Sequence, residues 1–178
     1  PTELYLYFLN LGIYSFDMVK RTLVKTDIPV SSVDEQIRSM ERDTMGRLWI
    51  AEDDLSVWNA KKHLLDKNLS TNYKGITRYM LTQDILRHGD NMIVGARTNG
   101  VWVFKPCEQN DSVYFKGECA EFEELKNKNV SLLYEDSGEN VWVGTYDMGV
   151  FKCNFEKHKI WHFDTDNGLV HNSVCGIV

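Results

Sequence analysis

A hairpin grammar recurs four times along this chain, and its spacing restricts the fold more than any other feature. The clearest copy is residues 135–151, EDSGENVWVGTYDMGVF: a turn at Asp136, Ser137 and Gly138, an alternating strand around Trp142, a small-residue corner at Gly144 and Thr145, and a second strand opening at Gly149. Short alternating runs bounded by Asp, Ser and Gly read as a β-hairpin. With Trp142 as anchor, Gly149 follows at plus seven, and the same offset joins Ile93 to Gly100, Trp49 to Ser56 and Tyr5 to Gly12. The anchors stand 44, 44 and 49 residues apart. One hairpin unit every about 40 to 50 residues is the mark of a propeller or a similar array. The predicted fold class is therefore all-β: β-propeller repeats, about four blades of four antiparallel strands.

Each copy has its own departures. The first, LYLYFLNLGIYSFD, carries apolar residues on both faces, which predicts a strand buried between neighbours. The second holds Asp43 six residues before Trp49, as Asp136 precedes Trp142 by six, and an aspartate there holds a turn through its own side chain. Ser56 takes the slot that is glycine in the other copies. Residues 60–72 read as the polar outer part of that blade and the crossing to the next. The third copy is the most divergent, with Ile93 in place of tryptophan and Arg87 in place of the aspartate. After it, EFEELKNK has the composition of a helical turn, with acidic residues at Glu121, Glu123 and Glu124. The fourth copy reads as four strands in order. The following TDNGLVHNSVCGIV places Val174 where a next innermost strand would open. Residues 1–178 thus read as a partial propeller, anchored at Tyr5, Trp49, Ile93 and Trp142 and truncated at both ends. Its uncovered end sheets predict either closure, with residues 174–178 as the inner strand of the first blade, or self-association.

Repetition also weakens chemical readings of conspicuous residues. Trp49 and Trp142 occupy one repeat position and read as core between sheets, with Asp43, Asp136, Gly144 and Gly149 as structural companions. Trp58, Trp102 and Trp161 fall in outer strands and read as core as well. No GxSxG is present, and no serine has a recurring histidine partner. His158 and His162 stand four apart, but in an alternating segment without the glutamate of a zincin helix. Carboxylates such as Asp53, Asp54, Asp147, Asp164 and Asp166 are plentiful, yet a glycosidase or lyase would need two to converge. The expectation is a chain that is not itself an enzyme and has no metal and no cofactor. A net charge of −6 with scattered Lys and Arg opposes a nucleic-acid surface. No apolar run is long enough for direct membrane insertion. Four cysteines show no CxxC pair; Cys107 and Cys119 flank a turn and returning strand, leaving a hairpin disulfide or separate thiols as alternatives.

Where a ligand would touch follows from strand alternation. The turn between second and third strands and the crossing to the next blade open on one face. That face collects Asp53 and Asp54, Arg97 and Asn99, Tyr146 and Asp147, and His171 and Asn172. These residues differ between copies while the flanking strands repeat, as expected for a site grafted on a scaffold, and equally for unconstrained loop tips. One aromatic, one guanidinium and several short acceptors suit a hydroxyl-rich ligand.

The pattern V/IxSxxxxD, a turn with glycine, L/VWV/IG/AT/E, a glycine before a hydrophobic and an aromatic residue, then DNGL and a later valine resembles the two-component regulator propeller repeat. Residues 130–151 with Asn167, Gly168 and Leu169 carry the resemblance most fully; the second copy follows well, the first in its strands and the third in its hairpin. The resemblance implies the extracytoplasmic sensor half of a hybrid two-component protein of gut Bacteroidetes: seven-bladed propellers, a further β domain, a membrane helix, a histidine kinase, a receiver and a DNA-binding module. It implies a periplasmic location, an oligosaccharide or other small ligand, and partners in the remaining blades of a parent protein or in a homodimer. The alternatives are a structural or dimerisation module without its own ligand and, least favoured, a propeller glycosidase or lyase.

Overall fold

A computed structural model gives the fold and describes residues 2–30, 36–66, 81–109, 112–119 and 122–178. Among the described residues fifteen strands form four antiparallel sheets, each a meander in chain order. The first holds β1 (Glu3–Phe8), β2 (Gly12–Asp17) and β3 (Thr22–Lys25). The second holds β4 (Ser39–Arg42), β5 (Leu48–Ala51), β6 (Leu55–Asn59) and β7 (Leu64–Asp66). The third holds β8 (Thr82–His88), β9 (Asn91–Ala96), β10 (Gly100–Gln109) and β11 (Ser112–Cys119), and the fourth β12 (Val130–Glu135), β13 (Val141–Thr145), β14 (Val150–Asn154) and β15 (Lys159–Phe163). EFEELKNK supplies a single 3-10 turn at Glu123–Leu125. Residues 67–80, including the end of the expected 60–72 crossing, and Glu121 lie outside the described residues.

The sheets stack in sequence with β4, β8 and β12 side by side, the arrangement of propeller inner strands. Three apolar layers separate the four sheets. Tyr5 and Ile13 meet Leu48, Ile50 and Trp58; Trp49, Leu55 and Val57 meet Met92, Val94 and Phe104; Ile93 and Val101 meet Val141, Val143 and Phe151. Every anchor with a following sheet therefore points forward into it. Trp49 is wholly buried, its ring centroid 5.7 Å from that of Phe104 in an edge-to-face contact. Near the axis the layers are also pinned by polar bonds: Ile85 N donates to Ser39 Oγ at 3.3 Å, and Leu133 N to Asp84 Oδ2 at 2.8 Å. Ser39 and Asp84 hold the same place in successive sheets, opposite Ala51 and Gly95.

Four expectations are corrected. First, β1 is not buried on both faces. Leu4, Leu6 and Phe8 are 45%, 36% and 38% exposed, because only Tyr5 and Tyr7 face a neighbouring sheet. Second, Ser56 is not at a glycine corner. The second sheet's hairpin is two residues shorter, so Ser56 lies inside β6 opposite Ile50, whereas Gly100 pairs with Ala96 at the start of β10. Third, Arg87 does not replace the turn aspartate. The β8–β9 hairpin closes early, pairing Arg87 with Met92 and His88 with Asn91, so Arg87 stands where Arg42 and Glu135 stand. Fourth, residues 174–178 do not complete the first sheet. They form no strand, and β1 is its sheet's edge.

The register likewise separates Cys107 from Cys119. Cys107 is opposite Tyr114 and Cys119 opposite Trp102, so the two stand five residues apart along the β10–β11 ladder. At ~3.3 Å per residue that is roughly 16 Å, too far for a disulfide.

Candidate functional site

The two ends of the stack are built differently. One end carries the aspartate turns. Asp136 Oδ1 accepts from the backbone N of Gly138 (2.9 Å) and Asn140 (3.0 Å), while its Oδ2 accepts the indole N–H of Trp142 at 2.9 Å. Asp43 repeats the scheme: Oδ1 takes Met45 N and Arg47 N, and Oδ2 takes Trp49 Nε1 at 2.9 Å and Arg47 Nε at 2.6 Å. The six-residue interval between aspartate and anchor thus has two causes, a turn and an indole clamp. The indole bond, followed by the turn amides, holds the Asp136 carboxyl well below the usual carboxylate range.

The sign of the pH effect follows. A depressed folded-state value stabilises the fold above the unfolded value of about 3.9 and loses that contribution as pH falls toward the folded one. Thermal melts should therefore show the wild type's advantage over Asp136→Asn shrinking below about pH 4. A difference that stays constant down to about pH 2 would remove Asp136 from this role.

The other end carries the sequence-predicted loops. Arg97, just past β9, and Tyr146, just past β13, converge across the third and fourth sheets, with the guanidinium carbon 5.6 Å from the ring centroid. Their backbones are fixed by Arg97 N to Leu81 O at 3.0 Å and Tyr146 N to Asn129 O at 2.9 Å. The guanidinium is exposed and the ring half-buried, so this pair offers a cationic edge beside an aromatic surface. Asn99 is half-buried, and its carbonyl accepts the Trp102 indole N–H at 3.1 Å. Asp147 is exposed beside Tyr146. Asn172 is committed to structure, its carbonyl accepting Gly149 N at 2.7 Å and its Oδ1 accepting Thr165 N at 2.9 Å. His171 is exposed, with Nδ1 accepting Ser173 N at 2.9 Å.

Asp53 and Asp54 do not join the Arg97–Tyr146 pair. Asp53 is bound by Arg38 Nη2 at 2.8 Å, and Asp54 is half-buried with an Oδ1 that has no hydrogen-bond partner among the described residues. Arg38 was not singled out by sequence reasoning. Its Nη1 also donates to Glu52 O at 2.6 Å and Thr82 O at 3.4 Å, tying the second sheet to the third at this end. Only its place at the mouth of an inner strand signals the role.

A second feature was also missed. Trp142 is half-buried on the face of the fourth sheet turned away from the third, not enclosed between sheets. It stacks on Phe163 at 5.9 Å, with Lys152 Nζ 5.0 Å above its ring, and borders a hollow of about 320 Å³ lined by Val150, Phe163, Asn167, Gly168 and Leu169. Trp58 is buried as expected, Trp102 half-buried and Trp161 42% exposed. His162 lies flat on Phe151 at 4.3 Å and contacts Met148 O through Nε2 at 2.6 Å.

Consecutive antiparallel meander sheets of three or four strands, stacked in chain order, define the β-propeller class. Residues 124–147 match the family described as two component regulator propeller. That stretch runs from the 3-10 turn through β13 and includes the Asp136–Trp142 clamp. Over 98% of its length the chain resembles crystal structures of the extracellular domain of BT4673 from B. thetaiotaomicron, named in one as a one-component and in another as a hybrid two-component system. TM-scores are 0.65 and identities 17% and 16%. The chain spans 23% of the length of that domain. It also resembles the β-propeller domain of Cps50 (Swd1) from Myceliophteria thermophila, with a TM-score of 0.60, 11% identity, and coverage of 90% of this chain and 55% of that one. Virginiamycin B lyase from Staphylococcus aureus matches at 0.57, 12% identity, and 90% and 58% coverage. At these identities the likeness is one of fold. No curated protein is similar enough in sequence to match.

Proposed function

We propose that this chain is part of the extracytoplasmic, periplasmic sensor region of a hybrid two-component regulator, and that its loop-bearing end recognises an oligosaccharide. The observation that carries the reading is the match of residues 124–147 to the two component regulator propeller. Within it, Tyr146 is the residue that meets Arg97. An aromatic face beside a guanidinium gives a sugar one apolar surface for its ring C–H groups and one charged donor for its hydroxyls. Asn99 and Asp147 add short polar groups on the same loops. Signal output would belong to other parts of a parent protein. The second reading, a module for assembly without its own ligand, is favoured by the uncovered apolar faces of the first and fourth sheets.

Calorimetric titration of the chain with a panel of plant and host oligosaccharides tests the first reading. A binder is expected whose affinity falls about tenfold or more in Arg97→Ala and Tyr146→Ala, or roughly 1.4 kcal/mol. Because both side chains lie on loops outside the apolar layers, melting should shift by no more than a few degrees. Sugar binding unchanged in both variants would remove this end from consideration.

A further inference from the structure

The Arg97–Tyr146 pair has a counterpart elsewhere in the chain. Between the first and second sheets the guanidinium carbon of Arg42 stands 4.9 Å from the centroid of the Tyr5 ring, as that of Arg97 stands 5.6 Å from that of Tyr146. The Arg42 pair is completed by an acid. Its Nη2 donates to Glu3 Oε2 at 2.9 Å and to the Tyr5 hydroxyl at 2.9 Å. Arg38 and Arg47 also have carboxylates, Asp53 at 2.8 Å and Asp43 at 2.6 Å. The Arg97 guanidinium has neither a carboxylate nor any other hydrogen-bond acceptor among the described residues.

A guanidinium stays charged in a protein and carries five N–H donors in a planar fork. The face of Tyr146 attracts that charge but offers no pair of acceptors, so the fork is left to solvent or to a ligand. The neighbouring acid does not fill the gap. Asp147, next to Tyr146 in sequence, is exposed and forms no ion pair with Arg97. The Asn99 amide and the Tyr146 hydroxyl have no hydrogen bond among the described residues either. The two turns that meet here thus hold four uncommitted polar groups, whereas Asp53, His171 and Asn172 at the same end are already bonded.

What best matches an open guanidinium fork is an oxyanion. A sugar hydroxyl accepts one neutral hydrogen bond, while a carboxylate or sulfate accepts two in parallel, each charge-assisted and roughly twice as strong. The chain's net charge of −6 does not decide against an anion here, because charges farther away than about 10 Å are screened at ordinary ionic strength. Asn99, Asp147 and the Tyr146 hydroxyl suit the hydroxyls of the same ligand, as acceptors and donors of single bonds.

Resting on the reading of this end as a sugar site, we infer that its ligand is an acidic oligosaccharide, whose carboxylate or sulfate takes the place on Arg97 that Glu3 takes on Arg42. Arg97 is then the residue that determines specificity. It selects the acid group, and Asn99, Tyr146 and Asp147 hold the hydroxyls around it. A neutral sugar of the same shape leaves the fork unmatched and binds more weakly.

Calorimetric titration of the chain with oligogalacturonates and oligoalginates, which carry carboxylates alone, and with carrageenan oligosaccharides, which carry sulfates alone, tests this. Each is paired with its neutral counterpart, made by carboxyl reduction or desulfation. At least one acidic ligand is expected to bind about tenfold or more tightly than its counterpart, and to weaken several-fold as salt rises from about 50 to about 500 mM. In Arg97→Gln its affinity should fall to that of the counterpart, which itself should change by less than about twofold. Should that variant fold poorly, the wild-type comparison of acid with counterpart decides alone. Neutral sugars binding as well as acidic ones, or an acid preference that survives Arg97→Gln in a folded variant, would overturn the inference and leave the sugar site standing. Binding of neither set, here or in the broader panel, would overturn both.

Discussion

Trp49→Ala is expected to destabilise the chain by about 3–5 kcal/mol, and Trp142→Ala by only about 1–2 kcal/mol, although both occupy the same repeat position. Trp49 has no exposed surface and fills the space between the second and third sheets against Phe104, Met92 and Val94. Its removal leaves a cavity that two stacked sheets cannot readily collapse, and it strips one donor from the buried Asp43 carboxylate. Trp142 faces outward, against Phe163, Lys152 and the border of the hollow, with its indole N–H on Asp136. Urea unfolding of the two variants, measured dilute enough to hold the chain monomeric, reads the difference directly. Equal losses would mean that Trp142 is enclosed as deeply as Trp49.

The second large effect is at Gly100. Its φ is +76°, and an added Cβ would lie 2.0 Å from Leu125 O, a backbone atom of the crossing between the third and fourth sheets. That crossing is held to Gly100 by the bond from Gly100 N to Lys128 O, so the methyl group and the interface compete for one space. Gly100→Ala should cost about 3 kcal/mol or more, left-handed strain of about 1–2 kcal/mol plus displacement of the crossing. Gly89→Ala is the control, with φ +58° in the β8–β9 turn and nothing within 4 Å of the new carbon. It should cost about 1–2 kcal/mol. Similar losses at the two sites would show that backbone strain alone matters. Gly149, with φ +75° and Phe163 O at 2.1 Å, repeats the Gly100 geometry one sheet later.

Much of this fold was legible because a repeat reports its own periodicity. The anchors recur at near-constant spacing, joined by the turn aspartate in the second and fourth copies and by the glycine in three, and each anchor lies in a hairpin. What was not legible has a common cause: an offset counts residues but not hydrogen-bonded pairs. Ser56 and Arg87 were matched to Gly149 and Asp136 by counting, yet one hairpin is two residues shorter and another is one residue shorter. Trp142 reads the same as Trp49 in sequence. Only the place of its sheet in the stack decides whether another sheet covers it.

The loop end was legible in kind and not in partnership. Alternation of strand direction correctly collects residues after β9 and β13, but whether a given loop side chain meets a neighbour depends on the twist between sheets. Arg97 and Tyr146 meet, whereas Asp53 turns to Arg38. Asn172 looked like a free polar loop residue and instead satisfies the backbone of Gly149 and Thr165. Cys107 and Cys119 look adjacent across a turn, but the long β10–β11 ladder carries them apart.

Hydroxyl-radical footprinting of the five tryptophans in the dilute chain, read by mass spectrometry, tests the central claim that each anchor is enclosed by the sheet that follows it. Trp49 and Trp58 should be the most protected, Trp161 the most reactive, and Trp142 intermediate. Protection of Trp142 equal to that of Trp49 in the monomer, or reactivity of Trp49 equal to that of Trp161, would contradict it.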